Sequence, residues 1–450
     1  MSACVGPSDD SHPPLLLVIS LDTLRADAIG TLSGVSPSPT PSLDRLGEDS
    51  VVFERAFSQM PHTLPSHMSI FTGLYPDTHG VIVEEDALAT SFDTLPSLLQ
   101  AAGYRTVGFA TCEWLEDRYG FGRGFDRYEI LPHKPIYADR VNAAALEEIR
   151  DSDGSKPLFL FLHYYDAHSD FEQGTGNRLP YFSPPEFRET VAASASGDEF
   201  CDEEGRCNTR FLIASDTEGR EVSAEMITVL KDLYQAGVSA LDAELGRLFD
   251  ELDAMGLYEE ALIVLTSDHG EEFREHNRFI HSQPYEPTIR VPLFVKLPGQ
   301  KLRGTRITTL AQSVDILPTV LDLLALDFPA YVSGRSLVPS FTDEDAPPPP
   351  VFARDSLTKT RYGLRDERFK FIANLAGDWR ELYDLAKDPG EQHNLVAERA
   401  ERAASMEEEL RKRVEALGQL GERLAAGYEV EGQELTTEEE ANLKALGYLN

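Results

Sequence analysis

Apolar runs of strand length alternate along this chain with segments whose apolar positions recur at helical spacing. Residues 15–20 (Leu-Leu-Leu-Val-Ile-Ser) form an unbroken apolar run of the kind found in a strand buried on both faces of a parallel sheet. Similar runs occupy residues 158–164 and 261–267, and a further strand is predicted at 291–296. Helical patterns lie between them. Thr40 and Pro41 make an N-cap and N1 pair that opens a short helix to Leu46. Residues 97–102 finish a helix that Gly103 stops before a strand at 104–110, and residues 223–255 carry helical periodicity up to Gly256. Strands alternating with helices predict an α/β fold, a mostly parallel, doubly wound central sheet flanked by helices. Ligands in such sheets sit beyond the carboxyl ends of the strands. That rule singles out Asp22, just after the first strand, and Asp268-His269, just after the 261–267 strand.

Two regions break the rhythm. Residues 169–221 are polar, rich in Gly, Pro and Ser and poor in periodicity, and read as a substrate-access insertion over one end of the sheet. Residues 343–350 run acidic and then into four prolines, a linker. Beyond it, residues 361–374 and 381–384 predict short antiparallel strands and 395–424 a charged helix. Thr437 with Glu440 makes a capping box for a last short helix that Gly447 ends. The expected organisation is a catalytic domain over 1–342, a linker over 343–350, and a small C-terminal α+β subdomain with tail helices over 351–450.

The charge is unusual. Lys+Arg 41 against Asp+Glu 77 leaves a net charge of −36, which repels phosphate backbones and argues against a nucleic-acid partner or docking on anionic lipid. No apolar run approaches the ~20 residues of a transmembrane helix. Residues 1–14 lack the apolar region of a signal peptide. Ser2-Ala3-Cys4 nevertheless resembles the end of a bacterial lipoprotein cleavage site, making Cys4 a candidate lipid anchor if a leader was trimmed. Cys201 and Cys207 bracket a short polar loop that a disulfide could close in an oxidising compartment; two surface thiols are the plainer alternative. Together these features point to the periplasm or the cell exterior, or to the cytoplasm if Met1 is the natural start.

Asp22, Asp268 and His269 are hard or borderline metal ligands at the ends of two strands, and a divalent cation needs such converging ligands. A third element is Thr63-Leu-Pro-Ser-His67, in which Pro65 suits the first turn of a helix that Gly73 ends. Thr63 then stands just before the helix N-terminus, where unpaired N–H groups favour an oxyanion. Taken alone, such a threonine is an ordinary N-cap. Beside a metal it becomes a candidate nucleophile, because its hydroxyl needs a base or metal to stabilise the alkoxide.

These segments resemble the sulfatases, within the alkaline phosphatase superfamily. The resemblance rests on Ile19 to Asp27, on Thr63 to Gly80 ending in Tyr75-Pro76-Asp77-Thr78-His79-Gly80, and on Gly124-Phe125-Asp126. It continues through His163 to His168, Thr266 to Glu271, Arg290 to Leu293, Asp315 to Thr319 and Glu381 to Asp384 with Asp388-Pro389-Gly390-Glu391. It covers nearly the whole chain and implies an alkaline-phosphatase/sulfatase-like fold. The catalytic positions depart from the sulfatase pattern. Sulfatases use a formylglycine made from Cys or Ser in a Cys-x-Pro-x-Arg motif; here Thr63 and His67 stand at those places, so no formylglycine is expected. Ala110 to Glu113 replace the usual Lys and His, and Thr23 and His269 replace members of the usual metal cluster.

Thr with Asp, Asp and His around a metal is similar to the phosphorus-cleaving relatives, such as lipoteichoic-acid synthases and phosphoethanolamine transferases. The resemblance therefore implies a metal-dependent ester hydrolase that acts on a phosphate or phosphonate ester through a Thr63 alkoxide. The metal ligands would be Asp22, Thr63, Asp268 and His269, with Mn, Mg, Ca or Zn all admitted. His168 and His281 are candidates for the general acid at the leaving oxygen. His67 is expected to orient Thr63 or the bound anion, and His163 to support substrate binding or the metal. Two alternatives stand beside this reading: a sulfuric ester hydrolase working without formylglycine, and a silent relative that binds an anion or a partner. The overall negative field favours a small or weakly charged anionic ester over a long polyanion.

Overall fold

The first strand shows how the chain builds its centre. In β1 (Leu15–Leu21) every residue is buried, and alternate side chains enter opposite cores: Leu15, Leu17, Ile19 and Leu21 on one face, Leu16 and Val18 on the other. A computed structural model describes residues 12–83, 85–132, 138–169, 179–181, 197–201, 203, 205, 207–342 and 347–426. The further strands are β2 (Val51–Phe57), β3 (Arg105–Ala110), β4 (Arg127–Ile130), β5 (Leu158–Tyr164), β6 (Leu262–Thr266), β7 (Glu272–Phe273), β8 (Phe279–Ile280) and β9 (Arg290–Lys296). They continue with β10 (Thr305–Ile307), β11 (Ala311–Gln312), β12 (Val351–Arg354), β13 (Arg361–Arg365), β14 (Phe369–Asn374) and β15 (Arg380–Asp384).

The main sheet has nine strands in the order β10-β2-β9-β6-β1-β5-β3-β4, with β11 beside β2. Its pairings are parallel except around β9, which is antiparallel to both β6 and β2. Two reversals leave β2 running with β1, β5 and β6, so its carboxyl end reaches the same edge as theirs. The β2 strand is absent from the sequence expectation because Glu54 and Arg55 interrupt its apolar pattern at a bulge between Phe53 and Ala56. One face is covered by the helices Ala138–Asp151 and Ala224–Ala254, through Val141, Ala145, Leu233, Leu241 and Leu248. The helices Thr63–Thr72, Leu95–Ala101 and Ile316–Leu323 cover the other, through Leu64, Met68, Phe71, Leu99 and Val320. This is the α/β architecture expected from the sequence, a mostly parallel central sheet flanked by helices.

The C-terminal part is a four-stranded antiparallel sheet, β12-β13-β14-β15, whose Phe352, Leu364, Phe371 and Leu382 pack on Ala403, Met406, Leu410 and Leu417 of the helix Ala400–Ala425. That helix starts later than the predicted 395, because the Leu395 N–H is bonded to the Leu382 carbonyl at 2.8 Å and ties this segment to the edge strand. Of the expected linker, residues 347–350 run into β12 without regular structure. Cys4, residues 343–346, most of the 169–221 insertion and the predicted 437–447 helix lie outside the described residues. Where the insertion is described, it contains a disulfide between Cys201 and Cys207 and a helix, Thr209–Thr217. Among the described residues no helix is long and apolar enough to cross a membrane.

Gly421 joins this subdomain to the catalytic part. A Cβ there would stand 2.6 Å from the Thr78 carbonyl oxygen and 3.0 Å from that of Asp77. The backbone it meets belongs to the short Pro76–His79 helix, and His79 Nε2 lies 3.2 Å from Ser69 Oγ on the helix that begins at Thr63. Gly421→Val is expected to cost about 1–3 kcal/mol of stability by forcing these backbones apart, read as a lower midpoint in chemical denaturation.

Candidate active site

Four chain segments converge at the carboxyl edge of the main sheet. Asp22 and Thr23 follow β1, His163 lies near the end of β5, and Asp268 and His269 follow β6. The fourth is the start of the Thr63–Thr72 helix, delivered by β2. Thr63 is the first residue of that helix rather than its cap. His62 takes the cap position, its Nδ1 accepting from the Leu64 N–H at 3.3 Å, and Gly73 ends the helix at φ 66°. The expectation of Thr63 as the residue before the helix is therefore off by one position; a histidine at the cap falls outside the usual Ser, Thr, Asp and Asn preference.

The hydrogen bonds divide each side chain into an occupied and an open atom. Asp22 Oδ2 accepts from Thr63 Oγ1 at 3.3 Å and from His163 Nε2 at 3.1 Å, while Asp22 Oδ1 has no partner. Asp268 Oδ1 accepts from the N–H of His269 at 2.8 Å and of Thr23 at 3.2 Å, leaving Asp268 Oδ2 open. His269 Nδ1 donates to the Gly270 carbonyl at 3.0 Å, which assigns the tautomer and leaves an unpartnered lone pair on Nε2. That nitrogen faces Asp268 Oδ2 at 3.3 Å. Two buried acceptors opposed in this way repel unless a proton or a cation lies between or beside them.

The residues present thus fit a divalent cation. One ligand atom from each of Asp22, Asp268 and His269 lies within 4.8 Å of the others, all three residues are buried, and each has one unpartnered atom. Oxygen with one imidazole nitrogen is a donor set shared by several divalent metals. Without the cation, burial pushes both Asp22 and Asp268 well above the ordinary carboxylate range, and Asp22 pushes Asp268 further. Burial drives His269 the opposite way and keeps it a neutral ligand, helped by His281.

His67, within the Thr63–Thr72 helix, is fully buried. Its Nδ1 donates to the Thr63 carbonyl at 2.8 Å, one helical turn back, and its Nε2 accepts from Ser20 Oγ at 2.8 Å. Burial and the neighbouring His163 hold it neutral. Both nitrogens are therefore engaged inside the protein, and His67 acts on the backbone of Thr63. His163 accepts at Nδ1 from the Thr111 N–H at 3.4 Å while reaching Asp22 with Nε2.

Thr63, His168 and His281 line one wall of a cavity of about 660 Å³. The His168 and His281 rings are 5.2 Å apart, and the His281 and His269 rings 4.1 Å. His168 Nδ1 is committed to the Ser169 carbonyl. Burial disfavours a proton on His281, but Glu271 beside it, with Oε2 3.6 Å from Nδ1, shifts the balance upward. All eight sequence-derived candidates therefore lie in one contiguous cluster, Asp22, His67, His163, Asp268 and His269 around the metal-fitting carboxylates and Thr63, His168 and His281 on the cavity lining.

Several members of this cluster were not singled out from sequence. Glu271 is fully buried with neither carboxylate oxygen hydrogen-bonded, and the adjacency to the Asp268-His269 pair was its available signal. Ser20 and Thr111, which bond the histidines, had none. Arg25 reads as structural, its guanidinium holding Asp27, Glu275 and the Glu271 carbonyl.

Comparisons with known proteins agree with this layout. Residues 14–326 match the family model described as Sulfatase, and residues 274–419 match that described as N-sulphoglucosamine sulphohydrolase, C-terminal. An N-acetylglucosamine-6-O-sulfatase of Bacteroides thetaiotaomicron is 23% identical over 91% of this chain and 87% of its own length. Human arylsulfatase K is 31% identical over 80% of this chain and 74% of its own. The solved phosphonate monoester hydrolase of Agrobacterium radiobacter superposes with a TM-score of 0.68 at 21% identity, covering 92% of this chain and 96% of that one.

Proposed function

The chain belongs to the sulfatase family of ester hydrolases, and from that premise we propose that it is a metal-dependent hydrolase of phosphate or phosphonate esters with the Thr63 hydroxyl as nucleophile. The observation that carries this reading is the Thr63 Oγ1 to Asp22 Oδ2 hydrogen bond of 3.3 Å at the cavity wall, beside the three open ligand atoms. Asp22, Asp268 and His269, with Thr63, would hold a divalent cation. When bound, that cation supplies Lewis-acid stabilisation of charge at the reacting centre.

The chain's own residues then do the following. Asp22 orients the Thr63 hydroxyl through the bond just described, and His67 fixes the Thr63 backbone from below. The hydroxyl oxygen passes its proton to Asp22 Oδ2 and attacks the central atom of the ester in line with the departing oxygen, forming a bond to Thr63 as the ester bond breaks. His281, whose proton Glu271 favours, gives that proton to the departing oxygen, whereas His168, neutral and donating from Nδ1 to Ser169, has only an acceptor nitrogen to offer there. Water then gives a proton to His281 and attacks the group held on Thr63, and the proton on Asp22 returns to the Thr63 oxygen as the group leaves. Sulfate and phosphate esters share this geometry, so the same residues could serve either. Phosphorus is favoured because a threonine cannot become formylglycine; the fold itself is shared by relatives of both chemistries.

A second reading, a sulfuric ester hydrolase without formylglycine, draws support from the sulfatase relatives. Phosphate monoesters, phosphate diesters, phosphonate monoesters and sulfate esters of one aryl alcohol separate the two. The expected result is the highest kcat/KM for a phosphorus ester, and a sulfate ester preferred by 10-fold or more would replace the first reading with the second. The Cys201–Cys207 disulfide supports an oxidising compartment, the periplasm or the cell exterior.

A further inference from the structure

The cavity above Thr63 is far larger than one tetrahedral anion requires, and its rim is chemically unlike its wall of histidines. At about 660 Å³ it lies within the roughly 300–1,000 Å³ of sites that enclose an organic ligand. Three large apolar side chains are exposed among the described residues: Val35, Ile213 at 36% and Leu357 at 56%. Two of the three, Ile213 and Leu357, line this cavity. They come from unrelated parts of the chain, Ile213 from the Thr209–Thr217 helix and Leu357 from the turn between β12 and β13. Half-buried Trp114 and Ile280 complete the rim.

Ile280 has a φ of 67°, a conformation that a β-branched residue adopts only under constraint, and it immediately precedes His281. Single exposed apolar side chains need no explanation, but their convergence on the mouth of one pocket does. Charge does not oppose an apolar guest there. Arg210 and Arg278 on the lining offset Glu113 and Asp216, so the mouth is locally neutral in a chain of net charge −36.

We propose that the substrate is an amphiphilic ester whose organic part is an apolar aryl or alkyl group seated on Trp114, Ile213, Ile280 and Leu357. This rests on the ester-hydrolase reading, which places the anionic head against Thr63. Binding such a group removes exposed apolar surface on both partners from water.

The test uses phenyl and 4-hexylphenyl esters of phosphate, methylphosphonate and sulfate, whose leaving groups have matched acidity. One well-seated methylene is worth about 10-fold or more in an apolar pocket. The 4-hexylphenyl ester is therefore expected to exceed the phenyl ester at least 10-fold in kcat/KM, and the double variant Ile213→Asn, Leu357→Asn to bring that ratio to near unity. A ratio below 2 in the native protein, or one unmoved in the double variant, overturns the proposal. If no ester of any class turns over, the hydrolase reading fails separately, and the rim is read by calorimetric binding of 4-hexylphenol against phenol. At least 10-fold tighter binding that the double variant abolishes supports the apolar site; equal binding of the two phenols overturns it.

Discussion

Thr63→Ala is expected to lower kcat by about 10⁴-fold or more, with the fold and measurable metal binding retained. The size follows from what the alanine removes. On the proposed reading Thr63 supplies the oxygen that displaces the leaving group; of the other groups on the lining, Thr111 Oγ1 donates to the His163 carbonyl at 3.1 Å, and Cys112 is pushed far above the ordinary thiol range by burial and by Asp22. Structural loss is expected to be small. Asp22 Oδ2 keeps its bond from His163, and His67 bonds the Thr63 main-chain carbonyl, which the substitution leaves in place. Thr63→Ser keeps the oxygen and is expected to retain turnover within roughly 100-fold of the native protein. Steady-state kinetics of the metal-loaded proteins, with metal content and melting temperature as controls, read the comparison. An alanine variant within 10-fold of native would mean that water or another group attacks, and Thr63 would revert to a structural first-turn residue.

Most of the candidate site was legible because each candidate ligand sits at a fixed offset from an element with a strong pattern. Asp22 and Asp268-His269 follow strands whose unbroken apolar runs reflect burial on both faces, and the carboxyl-edge rule then places them together. Thr63 was legible through Pro65 and Gly73, although the helix begins one residue earlier than the capping preference suggests. What escaped notice depends on tertiary geometry. The β2 strand, which carries Thr63 to the edge, is masked by Glu54-Arg55, and its direction depends on the antiparallel β9 beside it. Glu271 acquires its place beside His281 only once the β7–β8 hairpin folds back, a contact between residues ten apart that no period reveals. The apolar rim is likewise assembled from separate segments, each contributing one apolar residue that carries no signal by itself.

Replacing Asp268 by Asn separates the metal-binding role of this carboxylate from a merely structural one, because the two roles predict stability changes of opposite sign. In the metal-free protein Asp22 Oδ1, Asp268 Oδ2 and His269 Nε2 are three buried acceptors without donors. Such a cluster is destabilising: burial disfavours each carboxylate's charge, and the two acids repel each other. A cation that binds the native state relieves this, adding about 2.7 kcal/mol when its concentration is 100 times Kd. In Asp268→Asn the amide oxygen can keep the bonds from the Thr23 and His269 N–H groups. The amide nitrogen would stand where Oδ2 stood, 3.3 Å from the His269 lone pair, and donate to it. The metal-free variant is therefore expected to melt at or above the metal-free native protein. It is also expected to lose the rise in melting temperature that the native protein shows on adding Mn, Mg, Ca or Zn, and to fall to the turnover of Thr63→Ala. Thermal melting with and without chelator reads both effects. A metal-free variant less stable by more than about 1 kcal/mol, or one with an undiminished metal response, would sink the assignment of Asp268 as a ligand, since a charge that stabilises the empty site is not one held in wait for a cation.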